Sequence, residues 1–310
     1  YFNNFSYIEC CDENGKLYED KMESVRNEAA SYETVVVFMG LPEIMESEAF
    51  DRKDMKLPRG HVRMLEEAYK VNRNIVVVLF AGSPVECEWE YMAKAILYVA
   101  LPGEGGGEAI SNLIYGKVNP SGKLSETWPM KYEDVPSSSV FGKVNAEYRE
   151  GIYVGYRYYD KAALPVRYPF GYGLSYTSFT YSDLLIDGRK VSFIVRNSGE
   201  RKGKEVVELY VRNPEGGYRS VRELRDFAKI ELEKGEEKRV SFVLSDRDFS
   251  IYQNGWKTVG GTYTIEIGSS SRDIRLSGEM VVEGETVEYG VGEDSWYLCL
   301  KGKPERKEFE

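Results

Sequence analysis

Short apolar runs alternate with amphipathic segments over residues 34–127. The runs TVVVFMG and NIVVVLF are rich in β-branched residues, which is typical of strands buried on both faces of a sheet. Between them, apolar residues recur at the spacing of one helix face, and the later segment GGGEAISNLIYG is opened and closed by glycines, as helices often are. The pattern predicts a mostly parallel sheet with helices on its faces. The predicted elements are strands at 34–40, 74–80 and 96–99 and helices at about 60–69 and 105–116.

The hydrophobic period changes to two between about residues 184 and 284. Alternating strands separated by turn residues at this spacing indicate an antiparallel β-sandwich of about 100 residues. Its loops do not concentrate carboxylates or aromatic residues, so we expect a structural role for it. The strands that the pattern identifies are KVSFIVRNSG, KEVVELYVRN, KRVSFVLS and GTYTIEIGSSS.

These patterns predict two domains and a tail. An α/β sandwich domain is expected at 1–182, and its part from about 130 to 182 is a connecting segment rich in glycine, proline and aromatic residues. The β-sandwich follows at 183–284, and residues 285–310 form a charged tail or linker anchored by Trp296, Tyr297 and Leu298. Because the sequence reads as if it starts within a strand and ends in an unfinished tail, we expect a piece of a longer polypeptide.

Composition argues against several classes of protein. The formal net charge is −10 and the pI is near 5.1, which disfavours nucleic acid and anionic membrane surfaces as partners. No apolar run approaches the roughly 20 residues that cross a bilayer. The four cysteines form no CxxC pair, so neither a disulfide framework nor a zinc site is expected, and a reducing compartment such as the cytoplasm is favoured. Since His61 is the only histidine, we expect no histidine-based triad.

The polar segment ESEAFDRKDMKLP at 46–58 holds the best candidate chemistry. It follows the first predicted strand, and open α/β sheets bind ligands beyond the carboxyl ends of their strands. A carboxylic acid on such a loop is a natural general acid, because it can face a substrate without being part of the core. Taken alone, a glutamate here is more often a solvated surface residue, and Glu43, Glu46 and Glu48 all compete for the role.

The glycine cluster at 103–107 is a weaker candidate. It lacks both the lysine of a phosphate-binding loop and the spacing of a dinucleotide fingerprint. We therefore expect a tight turn at the start of a helix, and not a nucleotide site.

Five blocks, in order, resemble glycoside hydrolase family 3. In the first, 46–58, a glutamate lies three residues before Asp51-Arg52 and a Leu-Pro follows, as in the family's acid/base loop. The resemblance covers about residues 30–284. It implies an α/β sandwich followed by a fibronectin type III-like domain, and retaining hydrolysis of β-glucosides or related β-glycosides. The other blocks are VVVLFAGSPVE at 76–86, GKVNPSGKLSETWP at 116–129, EGIYVGYRYYD at 150–160 and YPFGYGLSYTSFTYS at 168–182.

The resemblance implies that Glu48 is the general acid/base, because it alone has the family's spacing to Asp51 and Arg52. Such a carboxyl must serve first as an acid and then as a base, and the charge of the neighbouring Glu46 is expected to support this. Asp51 and Arg52 are expected to form an ion pair that shapes the loop, and less so to touch substrate.

Other conspicuous side chains are expected to be structural. His61 begins the helix that follows the loop, where we expect a capping or surface role. Trp89 and Trp128 offer rings that could face a sugar, but we expect them to pack in the core or at an interface.

The resemblance also implies a part that this sequence does not contain. The family's nucleophilic aspartate lies on a TIM barrel, and a barrel needs roughly 200–250 residues. We expect that barrel on the same gene, before or after this chain, or on a companion chain. The substrate would be a β-glucoside or oligosaccharide, and no cofactor is implied, since two carboxyl groups perform the hydrolysis.

Two alternatives stay open at this point. The first alternative to the catalytic interpretation is a carbohydrate-binding or scaffolding relative of the same family without activity. The second alternative is an adhesion protein in which the β-sandwich is the working part.

Overall fold

A computed structural model describes residues 4–142, 148, 150–214 and 219–287. The chain forms two compact units. The first comprises the described residues up to Lys117 together with Met130–Tyr132, and the second comprises Val118–Pro129 and the described residues from Glu133 onward. Most of the aromatic connecting segment therefore lies in the second unit. The anchor predicted at Trp296–Leu298 lies outside the described residues.

The first unit is a three-stranded parallel sheet, ordered β1-β2-β3, with helices between its strands. The predicted strands and both predicted helices are confirmed, and the glycine cluster does lead into a helix. Its elements are α1 (Met22–Ser31), β1 (Val35–Gly40), α2 (Glu43–Glu46), α3 (Arg59–Val71), β2 (Ile75–Phe80), β3 (Ala95–Tyr98) and α4 (Gly106–Ile114).

Helix α1 and the short helix α2 are elements of the first unit that the pattern did not predict, and α1 is the longer. It buries Met22, Val25 and Ala29, which lie at helical spacing, and α1 packs against α3. The expectation that the chain starts within a strand is wrong for the described residues. Residues 4–10 form no strand. The backbone pairing near them is limited to an isolated bridge between Cys11 and Leu17 and a hydrogen bond from Tyr18 N to Cys10 O at 2.8 Å, which is too short a ladder for a strand.

Strand β2 is the centre of the first unit. It pairs with β1 on one side and β3 on the other, and Val77, Val78 and Leu79 are fully buried. Consecutive burial of this kind requires packing on both faces of the strand, which is why the run is apolar without alternation. Leu65 and Ala68 of α3 are buried as well, as the helical spacing predicted.

The second unit is dominated by two antiparallel sheets, ordered β10-β7-β6 and β14-β13-β8-β9. The predicted fold class, an α/β domain followed by a β-sandwich, is confirmed. Its elements are β4 (Trp128–Pro129), α5 (Tyr156–Lys161), β5 (Val166–Tyr168), β6 (Phe179–Asp187), β7 (Lys190–Asn197), β8 (Gly203–Arg212), β9 (Arg222–Leu232), β10 (Glu237–Val243), β11 (Ser250–Tyr252), β12 (Trp256–Thr258), β13 (Gly261–Ser270) and β14 (Asp273–Val282).

The sandwich core explains which strands the sequence identified. Strands β7, β8 and β13 lie inside their sheets and contribute alternate buried residues, such as Val191, Phe193 and Val195. Strands β6, β9, β10 and β14 lie at sheet edges. The run KRVSFVLS still identified β10, because its buried Val240 and Phe242 alternate with exposed residues. The sequences of β6, β9 and β14 carry many charged and exposed positions. Edge strands are protected from pairing with other chains by such charges, which also hides their strand pattern.

Strand β8 of the second unit carries a buried carboxyl group, Glu208, which lies against the backbone at Gly171. Glu208 is 4% exposed, and the hydroxyl of Tyr210 donates to its Oε2 at 2.5 Å. Gly171 has φ +81°, and a Cβ there would lie 2.4 and 2.5 Å from the two carboxyl oxygens. Burial raises the pKa of Glu208 to about 7, although Tyr210 and Lys123 act in the opposite direction.

We expect Gly171→Ala to lower the free energy of unfolding by about 1–3 kcal/mol more than the backbone strain alone does, because the added methyl group overpacks the Glu208 carboxyl. Gly188→Ala is the matched control, since Gly188 also has positive φ (+55°) but has open space around its Cβ position. The control should lose only the backbone term of about 1 kcal/mol. Urea unfolding of both variants measures the difference, and equal losses would contradict the overpacking.

The raised pKa of Glu208 predicts a pH dependence of stability. Between its ordinary value of 4.5 and about 7, the folded state binds the proton more tightly than the unfolded state does. The free energy of unfolding should therefore fall as the pH rises through this window. Glu208→Gln should reduce this slope and leave the contribution of Glu266, whose pKa burial also raises, and Glu237→Gln on an exposed position of β10 should retain the full slope. Urea titrations between pH 4.5 and 7.5 test this, and an unchanged slope in Glu208→Gln would refute the assignment.

Candidate functional site

The register of β1 and β2 brings two loops to one edge of the parallel sheet. Gly40, the last residue of β1, pairs with Phe80, the last residue of β2. A Cβ on Gly40 would lie 2.2 Å from the Phe80 carbonyl oxygen, so only glycine allows this approach. Leu41 N then donates to the same oxygen at 2.9 Å. The segments 41–58 and 81–86 therefore leave the sheet side by side.

The far end of the first segment is anchored in the core. Met55 and Leu57 are 8% and 6% exposed. Glu86 N donates to the carbonyl oxygen of Met55 at 2.7 Å, which ties the segment to the turn that follows β2. Glu86 is itself fixed, because its Oε1 accepts from the backbone N–H of Tyr132 at 3.0 Å.

Glu48 lies at the outer corner of the segment. Phe50 N donates to Ser47 O at 3.3 Å, which closes a β-turn with Glu48 and Ala49 at its two central positions. Ala49 has φ +68°, the conformation that the third residue of a type II turn requires and that costs a non-glycine residue about 1–2 kcal/mol. Glu48 is exposed, and it makes no hydrogen bond or ion pair with any residue that the structure describes. Its carboxylate is therefore free to contact a ligand.

The predicted ion pair between Asp51 and Arg52 is wrong. Arg52 Nη1 instead donates to Ser83 Oγ at 2.6 Å and to Pro84 O at 3.1 Å, across to the turn after β2. Asp51 is exposed and has no ion pair within the described part of the chain. The neighbouring turn holds its two acceptors in place beside the half-buried guanidinium, whereas the Asp51 carboxylate is exposed to water. Burial lowers the pKa of Arg52, and the charges of Glu46, Asp54 and Glu86 act against this shift.

Glu46 is the second residue that braces the segment. It ends α2, and its Oε2 accepts from the backbone N–H of Gly82 at 2.9 Å. The sequence placed Glu46 beside Glu48 as a source of negative charge; the structure gives its carboxylate a fixed partner on the opposite loop. Together, Glu46 and Arg52 join the turn that carries Glu48 to residues 82–84.

The roles of Gly82, Ser83 and Pro84 were missed by the reasoning from sequence, which treated them only as a recognisable block. Their proximity to the Glu48 loop could have been predicted from the parallel pairing of the two apolar runs, because that pairing places the residues after each run at the same edge of the sheet. The pattern could not say which side chain of 41–58 reaches which group of 81–86, since that depends on the course of the loop.

His61 corrects another expectation. It lies in the first turn of α3, but its ring is half-buried, and Nδ1 lies 3.1 Å from the Gly40 carbonyl oxygen. Burial lowers the pKa of His61, while the contact with Gly40 acts against this. The side chain therefore joins α3 to the end of β1. Trp89 and Trp128 are buried, at 4% and 2% exposure, as predicted.

No cluster of metal-binding side chains was found. Among residues 4–142, 148, 150–214 and 219–287, no group of three or more His, Cys, Asp or Glu residues has the geometry to hold a metal ion. Within the described residues, Cys10, Cys11 and Cys87 form no disulfide. No helix in the described part of the chain is long and apolar enough to cross a membrane.

Comparison with known proteins places this geometry in a family. Residues 6–176, more than half of the chain, match the model of the glycosyl hydrolase family 3 C-terminal domain, and residues 205–271 match that of a fibronectin type III-like domain. The thermostable beta-glucosidase B of Acetivibrio thermocellus is 42% identical over 278 residues, which are 85% of this chain and 37% of that protein. An exo-alpha-(1->6)-L-arabinopyranosidase of Bifidobacterium longum is 37% identical over 83% of this chain and 36% of its own length.

Solved structures agree. A family 3 beta-glucosidase of Bifidobacterium adolescentis has a TM-score of 0.84 at 35% identity, over 90% of this chain and 44% of that one. The beta-glucosidase of Kluyveromyces marxianus in complex with glucose has a TM-score of 0.80 at 36% identity, over 86% of this chain and 34% of that one. The chain thus spans less than half the length of each of these proteins. It belongs to glycosyl hydrolase family 3, and it consists of that family's C-terminal domain followed by a fibronectin type III-like domain.

Proposed function

We propose that this chain supplies the general acid/base of a retaining β-glycosidase and that Glu48 is that residue. The observation that supports this most directly is the braced turn at the sheet edge. It presents one carboxylate to solvent without a partner among the described residues, while Glu46 and Arg52 make the contacts that hold the loop. A general acid needs this combination of a fixed position and a free carboxyl group.

The chemistry requires two carboxyl groups about 5–5.5 Å apart. One attacks the anomeric carbon, and a covalent glycosyl-enzyme forms as the glycosidic bond breaks. Glu48 gives its proton to the departing oxygen in this step. It then takes a proton from the water that hydrolyses the intermediate, which restores both carboxyl groups and retains the anomeric configuration.

The nucleophile is assigned to a TIM barrel on the same gene or on a companion chain. The chain spans only 37% of the length of the Acetivibrio thermocellus relative, which leaves room for such a domain. Exposed apolar side chains near the Glu48 turn also favour a covering partner: Ile44, Phe50 and Leu101 are 65%, 67% and 72% exposed. Leu101 belongs to this edge, because its Cδ1 lies 3.6 Å from the Cβ position of Gly82.

The substrate class is proposed to be terminal β-D-glucosides. The names of the relatives from Acetivibrio thermocellus and Kluyveromyces marxianus support this choice. The relative from Bifidobacterium longum is 37% identical to this chain, yet its name states a different sugar, arabinopyranose. The sugar is therefore assigned to the nucleophile-bearing domain, and the acid/base step to this chain.

Glu48→Ala in the complete, barrel-containing protein should lower turnover of a β-glucoside with a poor leaving group by about 10²–10⁴-fold, because protonation of that group is lost. An aryl glucoside with a good leaving group should still form the glycosyl-enzyme, and azide should then restore turnover and yield a β-glycosyl azide. Glu43→Ala removes an exposed carboxylate of α2 and is the matched control, with activity close to the wild type.

Two results would contradict the proposal. If Glu48→Ala hydrolyses the poor substrate like the wild type, Glu48 is not the acid/base. If the complete wild-type protein hydrolyses no β-glycoside but still binds oligosaccharides, the non-catalytic binding relative is the correct alternative.

Arg52 and Glu46 are proposed as positioning residues. Arg52→Ala should lower kcat by roughly tenfold to a hundredfold, since misplacement of a catalytic group by about 1 Å has effects of this size. Lys53→Ala, an exposed neighbour without a contact in the described structure, should retain the wild-type kcat.

The readout separates positioning from catalysis. Because Glu48 is still present in Arg52→Ala, azide should give no rescue, and KM for the good substrate should change less than kcat does. Glu46→Gln should behave similarly but more mildly, since an amide oxygen still accepts from Gly82 N–H. Wild-type kcat in Arg52→Ala with intact folding would refute the positioning role.

A further inference from the structure

Three arginines converge on an open cavity of about 490 Å³ in the second unit. Arg212 ends β8 and Arg222 begins β9, and these two residues are direct partners across the antiparallel pair. Arg272 joins them from the turn between β13 and β14. Like charges directly opposite each other on neighbouring strands are destabilising unless something compensates them.

The compensation within the described residues is incomplete. Glu266 is 7% exposed and serves both strand arginines, with its Oε2 at 3.2 Å from Arg222 Nε and its Oε1 at 3.7 Å from Arg212 Nε. Asp160 accepts from Arg272 Nε at 2.8 Å. Two carboxylates therefore face three guanidinium groups around this cavity.

The hydrogen bonds of the arginines are unequal. Arg222 Nη1 donates to Ser271 O at 2.6 Å, and Arg272 Nη2 donates to Leu164 O at 3.0 Å in addition to its bond with Asp160. Arg212 donates no hydrogen bond to any residue that the structure describes, and its 3.7 Å contact with Glu266 is too long for one. A guanidinium has five N–H donors in a planar fork, and the donors of Arg212, including its buried Nη1, have no acceptor within the described residues.

Accessibility divides the three side chains into two roles. The side chains of Arg212 and Arg272 are 39% and 31% exposed, whereas that of Arg222 is 13% exposed. The side chain of Arg222 is thus mostly inaccessible to a molecule in the cavity. Arg212 and Arg272 are the groups that a molecule in the cavity can reach.

We propose that this cavity is an oxyanion-binding site, with Arg212 as its main ligand and Arg272 as the second. The surplus positive charge selects an anion, and the guanidinium fork matches two oxygens of one phosphate or carboxylate group. A bound oxyanion supplies the acceptors that Arg212 lacks and relieves its repulsion with Arg222. The site belongs to the β-sandwich unit, and its existence does not depend on the glycosidase function proposed above.

The test measures the thermal midpoint of this chain with increasing inorganic phosphate, glucuronate or glucose, each against sodium chloride at matched ionic strength. Phosphate should raise the midpoint in a saturable manner, as a ligand that binds only the folded state does. A comparable response to glucuronate but not to glucose would extend the site to carboxylates, and a response to phosphate alone would limit it to phosphate groups.

Arg212→Gln and Arg196→Gln are the matched variants. Arg196 is an exposed arginine of β7, in the other sheet. Arg212→Gln should weaken phosphate binding about tenfold or more, because a charge-assisted pair is lost. In chloride alone, Arg212→Gln should unfold at the wild-type temperature or above it, since a like-charge pair has been removed.

Arg196→Gln should keep the full phosphate response. Phosphate also stabilises proteins without binding, by exclusion from their surface, and that effect would be equal in all variants. Equal, unsaturable shifts in the wild type and in Arg212→Gln would therefore overturn the proposal. So would the absence of any shift beyond that of chloride.

Discussion

The candidate site depends on the parallel pairing of two apolar strands that end together. Gly40 and Phe80 are the last paired residues of β1 and β2, and the glycine allows the backbones to approach closely enough for Leu41 to bond to Phe80. This single constraint determines where the segments 41–58 and 81–86 leave the sheet. The bracing contacts of Glu46 and Arg52 are possible only because both segments start at that edge.

The division of labour within the loop has a physical basis. A charged group that bonds to fixed backbone atoms is held in one place, but its lone pairs or protons are then occupied. Glu46 and Arg52 hold the loop through Gly82, Ser83 and Pro84. Glu48 lies on a turn in which the next residue, Ala49, has a left-handed backbone conformation, and its carboxylate oxygens stay available to a ligand. Backbone strain of this kind is found where neighbouring contacts over-determine the conformation, and functional sites are common examples.

In the second unit, by contrast with the exposed Glu48, carboxyl groups are buried. Its sheets bury Glu208 and Glu266, each at less than 9% exposure, and both carboxyl groups have a raised pKa because burial disfavours their ionised form. Glu208 is matched by the Tyr210 hydroxyl and by the space that Gly171 leaves. Glu266 lies between two arginines that the strand register makes neighbours. The buried carboxyl groups of this unit therefore make its stability depend on pH, and Glu266 compensates only part of the positive charge of the neighbouring arginines.

The sequence by itself determined the elements whose apolar pattern is undiluted. It gave the strands at 34–40 and 74–80 and the sandwich strands β7, β8 and β13, because each buries a regular set of side chains. It also identified the edge strand β10, in which Val240 and Phe242 alternate with exposed residues. Strands β6, β9 and β14 escaped this reasoning, since the charges that protect these edges mask their period. The family resemblance identified Glu48 as the candidate acid/base, but the residues alone left three glutamates open.

Only the tertiary structure decided what those charged residues contact. Arg52 was expected to pair with its neighbour Asp51, yet it bonds to Ser83 and Pro84, which are distant in sequence and adjacent at the sheet edge. His61 was expected in a capping or surface role, yet its half-buried ring contacts Gly40. The reason is the same in both cases. A hydrophobic pattern specifies which residues leave water, whereas the partner of a polar side chain depends on which backbone atoms the folded chain brings within about 3 Å of it.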